Sequence, residues 1–362
     1  MSALPRFAVR EEIAAVLLGT GVVGRALLGL LETPAGEGVR LVGIANSTRQ
    51  LVDASGFRGD SAVKRLATSD PFRRDDTLLA TLDESGATRR VIIDATASQE
   101  TASRHAEWLA HGYDVVTANK TAAAAPIPTW RVLRDAASRG GCAYGDAATV
   151  GAGLPVLSTL RRLRACGDAL VTIEGVFSGS LSWLFNTYDG SRPFSALLRE
   201  ARAFGYTEPD PRADLSGTDV VRKLVILARA AGRTLDADAV EVEDLVPAWL
   251  RRIDAATFLD NVEALDAVIE TRRAQAASEG RVLRHLASLD ANGRASVGLV
   301  AVDSSHAAAR VSGTDNLFAL TTERYRARPL VIQGPGAGAE VTAQALLGDL
   351  LALKPMRRFA AA

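Results

Sequence analysis

Short apolar runs that end at glycine turns, each followed by a helix-like stretch, dominate the first 150 residues. Ile13–Leu18 is such a run, and Val22–Leu31 then has the spacing of a helix. The other predicted elements of this part are strands at Val39–Ala45, 91–95 and Asp114–Thr117 and a helix at 101–110. Strands that alternate with helices form parallel sheets covered on both faces. The pattern therefore predicts an α/β domain.

The pattern changes after about residue 151. Strand-like segments at 171–177 and 295–302 are joined by long predicted helices at 217–231 and 254–277, which suits an α+β domain. A glycine-rich segment then opens a final helix at about 339–353. We predict two domains, 1–150 completed by the C-terminal segment 336–362, and 151–335.

Composition narrows the functional class. The 362 residues carry 42 Lys plus Arg against 42 Asp plus Glu and show no basic cluster, which argues against a nucleic-acid partner. Cys142 and Cys166 are too few for a disulfide framework, so a cytoplasmic location is expected. Acidic residues precede the first apolar run, unlike a signal peptide, and no apolar span approaches the length of a membrane crossing.

The turn after the first predicted strand has the glycine spacing of a dinucleotide fingerprint. Its residues are Gly19, Thr20, Gly21, Val22, Val23 and Gly24. In such a turn the backbone approaches a pyrophosphate at a helix N-terminus. A plain strand-to-helix turn is the alternative, but the flanking strand and helix favour cofactor binding.

The end of the second predicted strand indicates which cofactor is preferred. NAD-specific enzymes usually carry an acid there that holds the ribose hydroxyl, whereas this chain has Asn46, Ser47, Thr48 and Arg49. Arg49 would accommodate the 2′-phosphate of NADP, and Asn46 could still bond a ribose. We predict that NADP(H) is preferred and that NAD(H) is tolerated.

A proline-stiffened acidic run provides the strongest candidate site. It contains Glu208, Asp210 and Asp214, and it leads to Asp219 and Lys223, four residues apart on one predicted helix face. A fixed carboxylate such as Glu208 suits an ammonium group. The alternatives are an acidic surface turn and a solvated Asp219–Lys223 ion pair.

Lysine is rare in this arginine-rich chain, occurring at positions 64, 120, 223 and 354. Because lysine can lose its proton when desolvated and arginine cannot, Lys120 and Lys223 are candidates for proton transfer. Ser216 with Asp219 also fits a capping box, a structural role for Asp219. The segments 149–155 and 179–182 could present backbone groups to a ligand or could be turns.

Together these motifs resemble the homoserine dehydrogenase family over residues 16–351. The block 206–223 carries most of the resemblance, and the supporting segments are 19–24, 115–120, 149–155, 179–182 and 336–338 with Thr342. The resemblance implies a reversible NAD(P)-dependent reaction between L-homoserine and L-aspartate 4-semialdehyde, on the route to threonine, methionine and isoleucine. It also implies a homodimer or higher oligomer formed through the second domain.

The resemblance also implies roles for individual residues. Lys223 would donate the proton in aldehyde reduction with Asp219 beside it, and Lys120 would lie between nicotinamide and substrate. Glu208 would hold the substrate amino group and Asp214 would support the site. The remaining implied contacts are Gly179 and Ser180 toward substrate and Thr96, Gly338 and Thr342 toward cofactor.

Two departures from the family pattern affect ligand expectations. Ala147 stands where relatives with a monovalent-cation site carry Glu, so a side-chain ligand is missing and sodium is not expected to bind firmly. The carbonyls of Val150, Ala152 and Leu154 could hold sodium weakly. Gly179-Ser180-Leu181-Ser182 replaces Gly-Thr-x-Asn and is closer to the bifunctional aspartokinase-linked branch. No aspartokinase or ACT domain is expected, and therefore no threonine inhibition through one.

Two other functions compete with this interpretation. A phosphorylating semialdehyde dehydrogenase needs a cysteine nucleophile with a nearby base, and Cys142 lies in a predicted strand without a histidine near it in sequence. A catalytically silent NADP-binding regulator would bind cofactor without turnover. The Asp219 and Lys223 pair argues against it.

Overall fold

The structure is a computed structural model that describes residues 13–354. The predicted C-terminal segment therefore extends, at 355–362, outside the described residues, as do residues 1–12. Among the described residues, one compact unit comprises 13–123, 128–149 and 338–354, and a second comprises 124–127 and 150–337.

Each unit is built on one sheet. The first has the order β3-β2-β1-β4-β5-β6 and is parallel except for β3, and the second, mostly antiparallel, has the order β12-β11-β7-β9-β10-β8. The strands are β1 (Ile13–Leu18), β2 (Val39–Ala45), β3 (Gln50–Val52), β4 (Arg89–Asp94), β5 (Asp114–Thr117), β6 (Tyr144–Gly145), β7 (Leu170–Val176), β8 (Val240–Val242), β9 (Arg281–Leu289), β10 (Ala295–Asp303), β11 (Asp315–Thr322) and β12 (Leu330–Pro335). The predicted α/β class is confirmed.

Helices connect these strands, and within residues 13–354 none has the length and apolar character needed to cross a bilayer. They are α1 (Val22–Leu31), α2 (Gly59–Thr68), α3 (Asp75–Glu84), α4 (Gln99–Ser103), α5 (His105–Ala110), α6 (Lys120–Ala123), α7 (Ile127–Gly140), α8 (Val156–Ala165), α9 (Gly179–Thr187), α10 (Phe194–Ala203), α11 (Arg212–Leu215), α12 (Thr218–Ala230), α13 (Ala255–Asp260), α14 (Asp266–Ser278) and α15 (Ala339–Ala352).

Strand β1 shows why the first sheet is covered on both faces. All six of its residues are buried, and successive side chains point to opposite faces. Ile13, Ala15 and Leu17 pack with residues of α1 and α15, whereas the alternate residues pack with α3 and α5. A continuous apolar run is what such a central parallel strand requires.

Two segments that were predicted as single helices are each divided in the structure. The segment 101–110 breaks at Arg104, whose N–H bonds to Thr101 O in a tighter turn, and this break separates α4 from α5. The segment 254–277 is α13, a 3₁₀ turn at Val262–Leu265 and α14, because Asn261 leaves the helical conformation while Val262 and Leu265 are buried. The prediction that Cys142 lies within a strand is also wrong, because Cys142 precedes the short strand β6.

Candidate active site

A groove of about 710 Å³ lies at the carboxyl ends of β1, β2 and β4 in the first unit. Ligands of parallel α/β sheets bind at this edge, where the strand order reverses. Its lining residues are Gly19, Thr20, Gly21, Asn46, Ser47, Arg73, Asp75, Ala95, Thr96, Ala97, Ser98, Glu100, Thr101 and Arg104. The groove therefore contains much of the predicted fingerprint and the end of β2.

Each of the three fingerprint glycines meets a different structural requirement. Gly19 has φ +97°, and a Cβ there would lie 2.9 Å from the Ala95 carbonyl. Gly21 is the N-cap of α1 and has no atom within 4 Å of a built Cβ, so a ligand can approach its backbone. A Cβ on Gly24 would lie 1.9 Å from Gly19 O, so this glycine lets α1 pack against the turn. Val22 is exposed and Val23 packs on the core beneath.

The Asn46 side chain stabilises the turn between β2 and β3. Its Oδ1 accepts hydrogen bonds from Thr48 N at 2.9 Å and Arg49 N at 2.8 Å. Arg49 is not among the residues that line the groove in the described chain, whereas Arg73 and Arg104 are. Sequence reasoning missed both arginines, because they come from segments far from the fingerprint and no local motif marks them.

Beneath the groove, Asp94 ties the ends of β4 and β5 together. Its Oδ1 accepts hydrogen bonds from Thr96 N at 2.8 Å and Thr96 Oγ1 at 2.6 Å. Its Oδ2 accepts one from Asn119 Nδ2 at 3.1 Å and contacts His105 Nε2 at 3.0 Å. Because Asp94 and His105 are fully buried, these groups depend on one another for hydrogen bonds. Lys120 follows Asn119 and begins α6, partly buried.

The two remaining predicted cofactor contacts lie at the start of α15. Gly338 is its N-cap, with φ +132°. The Thr342 hydroxyl donates to Gly338 O at 2.7 Å, so it closes the first helical turn.

A second pocket, of about 660 Å³, lies in the second unit. Asp214 organises one side of it, since Asp214 Oδ1 accepts from Ser180 Oγ at 2.7 Å and Oδ2 from Glu208 N at 2.9 Å. Burial raises the pKa of the Asp214 carboxyl, and the negative charge of Asp219 also raises it. The hydrogen bonds from Ser180 and Glu208 lower this pKa but do not offset the rise. The pocket-lining residues are Ser178, Glu208, Pro209, Asp210, Ala213, Asp214, Ser216, Thr218, Asp219, Val220 and Arg222.

Lys223 lies beside this pocket in a shielded position. Its Nζ donates to Phe177 O at 2.8 Å and lies 2.8 Å from Asp219 Oδ2. The residue is only 9% exposed. A solvated surface ion pair, one of the alternatives, does not describe this arrangement, because the lysine is buried and bonded to backbone as well as to Asp219.

The capping-box alternative for Asp219 is not observed, whereas Glu208 and Pro209 of the acidic run are exposed at the surface. Gly217, with φ +70°, is the N-cap of α12 and no side chain caps the helix, so Ser216 and Asp219 do not form a capping box. The loop is anchored, since Arg212 bonds Asp210 and donates to the carbonyls of Leu250 and Ile253. Gly179 begins α9, next to the N-cap Ser178.

The segment proposed for weak sodium binding is a tight turn. Leu154 N donates to Gly151 O at 2.9 Å, Val150 is fully buried and Ala152 has φ +49°. Within residues 13–354, no cluster of three or more His, Cys, Asp or Glu side chains has a metal-binding arrangement. Any cation here would depend on backbone carbonyls.

Cys142 is poorly suited to be a nucleophile. Burial raises the pKa of its thiol, and the neighbouring Asp114 raises it further. A thiol with a raised pKa carries little thiolate at neutral pH. This environment argues against the phosphorylating semialdehyde dehydrogenase.

Comparison with known proteins gives a consistent family assignment. Residues 155–351 match the family model for homoserine dehydrogenase, and residues 19–145 match the homoserine dehydrogenase NAD-binding domain. Bifunctional aspartokinase/homoserine dehydrogenase 2 of Escherichia coli is 40% identical over 95% of this chain and 43% of its own length. The homoserine dehydrogenase of Emericella nidulans is 36% identical over 92% of this chain and 96% of its own.

Solved structures share the fold. A Candida auris protein of unknown function superposes with a TM-score of 0.88 at 32% identity, covering 94% of this chain and 98% of its own. A hyperthermophilic archaeal homoserine dehydrogenase, solved with NADPH, has a TM-score of 0.71 at 22% identity, covering 94% of this chain and 97% of its own. The chain spans about two fifths of the length of the bifunctional relatives that it matches.

Proposed function

Because the chain belongs to the homoserine dehydrogenase family, we propose that it interconverts L-homoserine and L-aspartate 4-semialdehyde with a nicotinamide cofactor. The reaction would serve the route to threonine, methionine and isoleucine. The observation that carries the proposal is the buried Lys223 ammonium, held by Asp219 and the Phe177 carbonyl beside an acidic pocket.

Lys223 would act on the substrate oxygen. When the aldehyde is reduced, negative charge develops on that oxygen, and an ammonium within hydrogen-bond reach stabilises the charge and supplies the proton. Asp219 would hold the lysine in place. Lys120, which begins α6, is proposed as a second catalytic lysine.

The acidic pocket would hold the amino-acid part of the substrate. Glu208 would bind the α-ammonium group, because a carboxylate in a proline-stiffened loop needs little ordering on binding. Asp214 already fixes the Glu208 backbone N–H and the Ser180 hydroxyl, so it would keep this loop in register. Gly179 and Ser180 would border the substrate.

The groove of the first unit would bind the cofactor, with NADP(H) preferred and NAD(H) accepted. Gly19, Gly21 and Gly24 supply the close-approach turn, and a bound nicotinamide would supply or accept the hydride. The absence of an acid after β2 supports the preference. Val22, Val23, Asn46, Thr96, Gly338 and Thr342 remain proposed cofactor contacts.

The organisation of the protein completes the proposal. Residues 1–150 with 336–362 would form the cofactor domain, and 151–335 would bind substrate and form a homodimer or higher oligomer. The protein would work in the cytoplasm, and sodium on the carbonyls of Val150, Ala152 and Leu154 would be weak and dispensable.

The test is turnover of homoserine with NADP⁺ by the purified full chain, compared with other hydroxy amino acids. Wild type should prefer homoserine, and Lys120→Ala should reduce kcat on the order of a hundredfold. Lys64→Ala, an exposed lysine in α2, is the matched control and should be unchanged. Cofactor binding without turnover of homoserine would instead indicate the silent regulator.

A further inference from the structure

Three charged side chains meet at one end of the cofactor groove. Arg73 precedes α3, Asp75 is the first residue of α3, and Arg104 lies between α4 and α5. Asp75 Oδ1 accepts a hydrogen bond from Arg73 Nε at 2.9 Å, and Asp75 Oδ2 pairs with Arg104 Nη1. We refer to these three residues as the Arg73 cluster. Their side chains are 21–26% exposed, so they are ordered by packing yet reachable from the groove.

A hydrogen bond fixes the Arg73 cluster to the end of β2. Arg73 Nη1 donates to Asn46 O at 3.0 Å, and Asn46 is the first residue after that strand. In dinucleotide-binding folds, the 2′ position of the adenosine ribose is recognised at this place, by an acid for NAD or an arginine for NADP. The cluster thus brings both residue types to the expected position from a segment more than twenty residues further along the chain.

The chemistry of the cluster suits a phosphate monoester. A guanidinium binds phosphate through paired N–H groups. Among the described residues, Arg73 bonds through Nε and Nη1, which leaves Nη2 without a hydrogen-bond partner. Arg104 pairs with Asp75 through Nη1, and its Nε and Nη2 make only long contacts of 3.3 and 3.4 Å to Glu107. Asp75, Glu100 and Glu107 oppose an incoming anion. The two arginines therefore have N–H groups available to bind a phosphate, and the neighbouring carboxylates weaken their attraction for it.

We propose that Arg73 and Arg104 bind the 2′-phosphate of NADP(H), and that Asp75 limits this preference and lets NAD(H) bind. The inference rests on the nicotinamide cofactor of the proposed function and replaces Arg49 as the source of selectivity. With NAD(H), the Asp75 carboxylate accepts a hydrogen bond from the ribose hydroxyl. With NADP(H), Asp75 holds both guanidiniums at the edge of the groove while they take the phosphate.

The test is direct binding, by titration of nicotinamide fluorescence with NADPH and NADH in the absence of homoserine. Arg73→Ala and Arg104→Ala should each weaken NADPH about tenfold or more and leave NADH within about twofold. Asp75→Asn should raise the ratio of NADPH to NADH affinity several-fold. Competition by 2′-AMP against 5′-AMP should follow the same order, because it isolates the phosphate.

Arg49→Ala is the matched control and should leave the ratio of affinities unchanged. Arg73→Lys keeps the charge without the fork and should recover part of the NADPH affinity, which a purely structural role would not produce. Equal losses of NADPH and NADH in the arginine variants, or a changed ratio in Arg49→Ala alone, would overturn the inference. A chain that binds with this selectivity but does not oxidise homoserine would instead refute the proposed function and leave the inference standing.

Discussion

The groove of the first unit and the pocket of the second differ in how much of each is formed by backbone and how much by ionisable side chains. At the fingerprint turn the groove is shaped by backbone, through Gly19, Gly21 and the loop after β4, and Asp94 beneath it bonds neighbouring loops. Charged side chains line its other end, at the Arg73 cluster. The pocket is instead defined by ionisable side chains, above all Asp214 and the Asp219–Lys223 pair. A site made of backbone fails when its shape changes, whereas a site made of charged side chains fails when one functional group is removed.

Lys223→Ala should give the largest effect and test the side-chain character of the pocket. We expect kcat for homoserine to fall on the order of a hundredfold or more, because the developing alkoxide loses its proton source. NADPH affinity, measured by fluorescence titration, should be unchanged. Lys223→Arg should also be inactive, since a guanidinium does not release a proton. An active Lys223→Arg enzyme would contradict a proton-donor role.

Asp94→Ala should have the next largest effect, on the support beneath the groove. Removing the carboxylate takes a hydrogen-bond partner from the buried Asn119 and His105 side chains and from the partly buried Thr96, which should lower the free energy of unfolding by about 3 kcal/mol. Urea denaturation measures the loss, and NADPH binding should weaken with it. Asp53→Ala, at an exposed turn of the same unit, serves as the control and should change stability much less. Equal losses in the two variants would show that Asp94 is not a hub.

Gly24→Ala and Gly29→Ala compare two glycines of one helix. A Cβ at position 24 meets Gly19 O at 1.9 Å, so we expect a loss of roughly 1–3 kcal/mol in stability and weaker NADPH binding. A Cβ at position 29 meets nothing within 4 Å, so that variant should gain roughly 0.5–1 kcal/mol. Thermal unfolding of both variants tests the pair. A tolerated Gly24→Ala would mean that the turn relaxes easily.

Ser180→Ala should produce the smallest effect, and one that depends on pH. The Ser180 hydrogen bond lowers the pKa of Asp214, which is raised overall by burial, so its removal should raise this pKa further. A raised carboxyl pKa contributes stability below the unfolded pKa that is lost as pH rises through the folded pKa. The variant should therefore be least destabilised in acid and lose about 1 kcal/mol at neutral pH.

Unfolding free energies measured across that pH range check this prediction. Ser182→Ala is the control, because Ser182 lies in the same helix but contacts Asn186. Its effect should not follow the titration of Asp214. A pH-independent loss in Ser180→Ala would contradict the prediction.

Much of the first sheet could be predicted because its signals are local. The bounds of β1, α1 and β2 agree with the sequence prediction, since a buried parallel strand needs an apolar run and its turn needs glycine. The breaks at Arg104 and Asn261 could not be predicted in this way. Each break depends on which side chains the surrounding fold buries, and helical periodicity alone does not predict that burial.

The sequence by itself determined the fold class, the glycine turn and the pairing of Asp219 with Lys223, because each depends on residues within a few positions of one another. Only the tertiary structure decided that Lys223 is buried against Phe177 O, that Asp94 joins two strand ends, and that Arg73 and Arg104 rather than Arg49 line the groove. Burial and contacts between distant segments arise when the chain packs, so no local pattern contains them.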